Sequence, residues 1–151
     1  MPAFANEQAV VHSADQMFDL VADVERYPEF VPMCERLAVR RRREAGKGVE
    51  TLIADMTVGY LLISETFTTK VRLDRPGRQI DVSYVEGPFR HLDNHWRFES
   101  AAKGCIVRFS IDYEFKSRVF EILAGAMFET LFRRMTAAFL VRADEIYGKR
   151  R

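Results

Sequence analysis

The chain has 151 residues, with 23 Lys and Arg against 22 Asp and Glu for a formal net charge of +1, and 48% of its residues are apolar. That balance excludes intrinsic disorder, which needs low hydrophobicity and high net charge, and it argues against a dedicated nucleic-acid binder, leaving no role for DNA. The length suits one domain over residues 1–151 with a core of its own, no apolar run nears the roughly 18 residues of a membrane helix, and 12 phenylalanines stand out.

Residues 3–12 predict a first strand. Ser13 with Gln16 three residues on forms a capping box. It opens a helix over about 14–24, where Met17, Phe18, Leu20, Val21 and Val24 recur at helical spacing. Two prolines, Pro28 and Pro32, restrict 25–32 to a turn or a short helix. From 35 to 115 the pattern is β throughout, with strands near 36–44, 49–58, 61–73, 78–86, 91–100 and 104–115. Turn residues separate them at 45–48, Gly59, 74–77, 87–89 and 103–104. Short loops make this an antiparallel meander.

Ser117 caps a last helix that runs to about Tyr147, roughly 45 Å long, against a radius of gyration of about 15 Å for a domain of this size. Such a helix must cross the whole molecule. Phe120, Ala124, Met127, Phe128, Leu131, Met135, Ala138 and Phe139 fall in one stripe, with Glu129, Arg133 and Asp144 opposite. The fold class is therefore α+β, a helix-grip arrangement. A curved antiparallel β-sheet wraps around a long C-terminal α-helix, with two short helices after the first strand.

Two segments carry a family likeness. Residues 27–34, YPEFVPMC, resemble the YPxFVPxC segment of the coenzyme Q-binding proteins, a branch of the START-like, polyketide cyclase-type superfamily. Residues 86–98, EGPFRHLDNHWRF, are similar to the same family's GPFxxLxxxWxF segment, and Glu65-Thr66-Phe67 has the look of its central strand. The resemblance spans the chain. It implies an apolar cavity between sheet and last helix, and a ubiquinone-like prenyl lipid as bound ligand in support of respiration, with no further cofactor. A bacterial branch of the family acts instead as a toxin that blocks association of ribosomal subunits, so a ribosome is the alternative partner.

The residues themselves leave several roles open. Met33, Met56, Met127 and Met135 are adaptable liners for a flexible lipid, or simply core. Phe67, Phe98, Phe109, Phe115, Phe120, Phe128 and Phe139 are expected to line one concavity. Glu65 shares strand parity with Leu61, Ile63, Phe67, Val71 and Leu73. It reads either as a polar anchor for a head group or as a strand-end or salt-bridged carboxylate. Tyr27, Pro28, Phe30, Val31 and Pro32 form an apolar flap at the cavity mouth or a plain connector. Gly87, Pro88 and Phe89 bend the sheet, and Trp96 and Phe98 face the core beside them.

Catalysis finds no support. His91 and His95 lie on a strand in HLDNH, which lacks the Glu of a zinc motif, and with Asp93 and Arg97 they read as a solvated stripe. Cys34 and Cys105 form no CxxC pair, and there is no nucleophile elbow or phosphate loop. The expectation is a non-enzyme without a metal, in the cytoplasm, with room for peripheral contact at the inner membrane. Arg40, Arg41, Arg42 and Arg43 suit a protected edge strand, a phospholipid contact or a ribosomal RNA contact, and Lys149-Arg150-Arg151 ends the chain. A cyclase-like enzyme is the third reading, with Glu65 its one candidate acid.

Overall fold

A computed structural model describes residues 3–148. Alternating apolar and polar residues build seven strands: β1 (Ala3–Val10), β2 (Cys34–Gly46), β3 (Val49–Tyr60), β4 (Ile63–Asp74), β5 (Gln79–Glu86), β6 (Phe89–Ala101) and β7 (Gly104–Phe115). They form one antiparallel sheet in the order β1-β7-β6-β5-β4-β3-β2, leaving β1 and β2 as edges. Helix α1 (Ala14–Ala22) and a 3-10 helix (Val24–Glu29) follow β1, and α2 (Arg118–Tyr147) follows β7. The helix-grip fold expected from the sequence is the fold observed.

Local chemistry sets the element ends. Gln16 N–H donates to Ser13 Oγ and Ser13 N–H donates back to Gln16 Oε1, each at 3.0 Å, so the capping box closes reciprocally. Phe120 N–H donates to Ser117 Oγ at 3.2 Å and starts α2. The expected first strand and helix each run two residues too far, since β1 stops at Val10 and α1 at Ala22. Gly59 does not turn the chain. It lies inside β3, where a Cβ would meet only the end of the exposed, flexible Glu35 side chain, which can swing aside. The reversal falls at Leu61 and Leu62, and Leu61 takes a left-handed φ of 56° on an exposed turn instead of joining the inward row.

Gly87 has φ +144°, and a Cβ on it would lie 2.6 Å from Phe67 Cβ. That contact requires glycine twice over. It lets the chain kink so that Phe89 N–H donates to Tyr84 Oη at 3.0 Å and the Phe89 ring turns fully inward.

Helix α2 lies across the concave face of the sheet. Its buried stripe includes Phe132, Thr136 and Ala143 besides the residues expected, while Phe120 and Ala138 are only half-buried. The phenylalanines interlock with each other and do not line an empty concavity. Phe89 meets Phe67 at 5.4 Å and Phe128 at 5.1 Å between ring centroids, and Phe115 meets Phe120 at 5.4 Å and Phe128 at 5.5 Å. Most of these pairs are edge-to-face, the arrangement that ring quadrupoles favour. A second cluster joins Trp96 to Phe109 at 4.7 Å and to Phe139 at 5.1 Å. The expected lining is therefore mostly packing.

Candidate functional site

Between the two aromatic clusters the side chains shorten and a cavity remains. Its walls are Val24 and Tyr27 of the 3-10 helix, Leu37 of β2, Ala54 and Met56 of β3, and Phe67, Thr69 and Val71 of β4. Ile80 and Val82 of β5, Leu92, Asn94 and Trp96 of β6, Ile111 of β7, and Phe132 and Met135 of α2 complete them. The free volume is about 60 Å³. One water needs roughly 10–15 Å³ on that scale, so the cavity as it stands holds a few waters and not a quinone ring. Met56 and Met135, unbranched and soft, are the walls best able to give way.

The polar groups on this wall are uncharged. Asn94 Nδ2–H donates to Ser110 O at 2.9 Å, which fixes the amide and leaves Oδ1 as an acceptor without a partner among the described residues. Thr69 is buried, and neither its hydroxyl nor the Trp96 Nε1–H makes a hydrogen bond among the described residues. Tyr27 Oη–H donates to Val21 O at 2.5 Å, and burial drives its phenol far above the ordinary range, so it stays protonated. An apolar chamber with neutral donors and one neutral acceptor suits a hydrophobic ligand with a carbonyl or hydroxyl head.

Of the candidate liners singled out from sequence, Tyr27, Met56, Phe67, Trp96 and Met135 line the cavity. Phe89, Phe98, Phe109, Ala124, Met127, Phe128 and Leu131 are buried in the packing around it. Phe120 and Pro88 are half-buried beyond it. In the proposed flap, Val31 is buried, Phe30 and Pro32 are half-buried and Pro28 is exposed. Phe30 packs 5.0 Å from Phe139 with the Arg142 guanidinium 5.1 Å from its ring, so this segment is clamped to α2. Glu65 is half-buried opposite Val58 and is not among the cavity walls, since its strand reaches the cavity from Phe67 onward. Met33 and Met127 are likewise off the wall.

Sequence reasoning missed Asn94 and Thr69. Their signal was parity: Asn94 sits in the inward row with Leu92, Trp96 and Phe98, and Thr69 lies between Phe67 and Val71. A polar residue in an otherwise apolar row is the informative one.

The remaining candidates lie outside the cavity. His95 Nδ1 is 2.5 Å and Arg97 Nη1 2.9 Å from Asp81 Oδ1. Partial burial pushes the Asp81 carboxyl up, but the hydrogen bonds from His95 and Arg97 outweigh it and hold the group below its usual range. His91 pairs with Asp112 at 3.1 Å, and among the described residues no three metal-type ligands cluster. Burial raises the Cys34 and Cys105 thiols to about 11, which makes them poor nucleophiles.

The arginine strand does not simply alternate. A bulge between Val39 and Arg41 resets the register of β2. Arg42 shares a row with inward-facing Leu52 and pairs with Glu25 at 2.8 Å and Glu50 at 3.1 Å. Arg40 pairs with Asp55 at 3.3 Å. Arg41 and Lys70 flank Ile53 in one cross-strand row, and Arg43 and Arg72 flank Thr51 in the next, so these four cations share the outer face. The terminal Lys149-Arg150-Arg151 lies outside the described residues. No described helix is long and apolar enough to cross a membrane.

A curved sheet gripping one long helix is the arrangement of the START-like domains. Residues 10–140 match the polyketide cyclase/dehydrase and lipid transport family, and the chain belongs to it. It is 38% identical to the ribosome association toxin RatA of Vibrio cholerae over 99% of this chain and 100% of that protein. It is 32% identical to the mitochondrial coenzyme Q-binding protein COQ10 homolog B of Xenopus laevis, over 97% of this chain and 59% of that longer protein. Among solved structures, the 18 kDa protein CC1736 of Caulobacter crescentus superposes with a TM-score of 0.79 and 34% identity, covering 99% of this chain and all of that one. The two curated relatives are named for ribosome association and coenzyme Q binding, not for a reaction.

Proposed function

We propose that the chain binds a hydrophobic isoprenoid lipid of the prenyl-quinone type between the sheet and α2, as a carrier and not as an enzyme. The observation that carries this reading is the chamber itself: apolar walls, adaptable Met56 and Met135, and the neutral polar groups of Asn94, Thr69 and Trp96. A quinone head has two carbonyl acceptors, which the Thr69 hydroxyl and the Trp96 indole can serve, and the reduced quinol can donate to Asn94 Oδ1. The small volume means that binding must displace side chains of α2 or of the 3-10 segment. The likeness to a coenzyme Q-binding protein supports the same ligand class.

The test is extraction of the purified protein into organic solvent, followed by mass spectrometry and by titration with a short-chain ubiquinone. A prenyl quinone is expected in the extract, and Ala54→Phe, which fills the chamber, is expected to abolish uptake. Empty extracts together with unchanged titration of Ala54→Phe would sink the reading.

A second reading rests on the outer basic face of Arg41, Arg43, Lys70 and Arg72 and on the similarity to the ribosome association toxin. Its partner would be ribosomal RNA, bound by phosphate neutralisation and hence with steep salt dependence. Co-sedimentation with ribosomal subunits across a salt titration tests it, and Arg41→Glu with Arg43→Glu is the variant expected to lose binding. Unchanged sedimentation of that variant would count against the face.

A further inference from the structure

We propose that one end of the molecule docks on a lipid bilayer through aliphatic side chains from the β3–β4 turn and the first turns of α2. Because neighbouring strands are antiparallel, the β3–β4 turn, the β5–β6 turn and the start of α2 all lie at the same end of the sheet. At that end Leu61 is 87% and Leu62 fully exposed, and Ile122 is 80% exposed, with Val119 and Leu123 each about two-thirds exposed. Tyr60 and Val85 stand half in solvent at the base of these projections.

The helix face is organised. Val119, Ile122, Leu123 and Ala126 recur at helical spacing on the side of α2 away from Phe120, Ala124 and Phe128, so these turns are apolar on both faces. Farther along, the same outward face changes to Glu129, Arg133 and Arg134, all exposed. An apolar stripe that stops after about two turns fits insertion to a limited depth, as for a segment lying at a membrane interface.

The composition favours a bilayer over a protein partner. Protein hot spots concentrate Trp, Tyr and Arg, whereas this tip is almost wholly Leu, Ile and Val. Tyr60 at its base is a residue type that sits at headgroup level. Charges of both signs lie at its rim: Lys116, Arg118, Glu86 and Glu121, the Arg90–Glu114 pair, and Glu35 and Glu65 at the foot of the turn, so no basic patch there selects an anionic headgroup. Behind the tip stands the Phe67–Phe89–Phe128 cluster, and behind that the cavity, whose wall includes Phe67. Docking there would set the lipid source against the side of the chamber that the aromatic cluster closes. The proposal extends the lipid-cavity reading, but its test uses vesicles without quinone, so either can fail alone.

The test is flotation of the full chain with phosphatidylcholine vesicles, repeated with phosphatidylglycerol added and at low and high salt. The chain should float with both vesicle types with little salt dependence. Leu61→Asp with Leu62→Asp should reduce the bound fraction about tenfold or more, and Val141→Asp, at the far part of α2, should leave it unchanged. Leu62→Trp, a substitution on a fully exposed turn, gives an independent reading and should show a blue-shifted emission on vesicles. Failure of the wild-type chain to float would overturn the proposal, as would binding only to phosphatidylglycerol vesicles that high salt abolishes. A dimer in solution that the Leu61 and Leu62 substitutions convert to monomer, without vesicle binding, would assign the tip to a second copy of the chain and also overturn it.

Discussion

Helix α2 meets the sheet in two different ways along its length. Around Phe120 and Phe128 the space is filled by phenylalanine rings set edge to face, whereas around Phe132 and Met135 the opposing strands offer Ala54, Thr69 and Asn94 and leave a chamber. Both stretches read as the same apolar stripe. Apolar patterning places a helix on a sheet, but the shape and length of the facing side chains determine whether the join is solid. Room for a ligand is thus decided strand by strand, mainly by short residues on β3 and β4.

The largest test of this contrast is Phe128→Ala, which removes the ring shared by Phe67, Phe89 and Phe115 and should cost about 3–5 kcal/mol in urea unfolding. Gly87→Ala, which forces a Cβ against Phe67 at a positive φ, should cost about 3 kcal/mol by the same measurement. A matched pair of insertions sharpens the comparison. Ala124→Leu enters the filled stretch and should cost about 1–3 kcal/mol, while Ala54→Leu enters the chamber and should stay within about 1 kcal/mol of wild type. Equal costs for the two would mean the chamber collapses as readily as the core.

The smallest effect is one of pH. The Cys34 and Cys105 thiols ionise near 9.0 when unfolded and near 11 when folded, so their contribution is complete below about pH 9 and is lost as pH rises toward 11. Unfolding midpoints followed from pH 8 to 11 should fall, and Cys105→Ala should flatten part of that fall.

The architecture was legible because strands at short spacing, the Ser13 box and a 30-residue helix pattern each have a single structural solution. The site was legible only in part. Tyr27, Met56, Phe67, Trp96 and Met135 were accessible from the sequence and the family likeness, but the difference between lining and filling depends on distances between strands, which no one-dimensional pattern contains. Glu65 shares the parity of the cavity row yet lies off the wall, because parity gives the face of a strand and not the level along it. The β2 bulge escaped notice for a related reason: the run of arginines hides the one-residue slip at Arg40, which puts Arg42 in place of Arg41 and Arg43 in the inward row.

The two ends of α2 are also held differently. Near its C-terminus His12 Nε2 lies 2.8 Å from Asp144 Oδ1, Tyr147 Oη–H donates to Gln16 O at 3.1 Å, and Arg142 reaches Glu29 Oε1 at 2.5 Å. These tie the helix to the β1–α1 connection, to α1 and to the 3-10 segment, while its first turns rest on ring packing and the Ser117 cap. The helix is in effect a lever pinned at one end. Amide exchange should therefore be faster over the exposed first turns, 118–123, than around 135–143, so one end of the helix is held by polar bonds and the other by the grip of its rings.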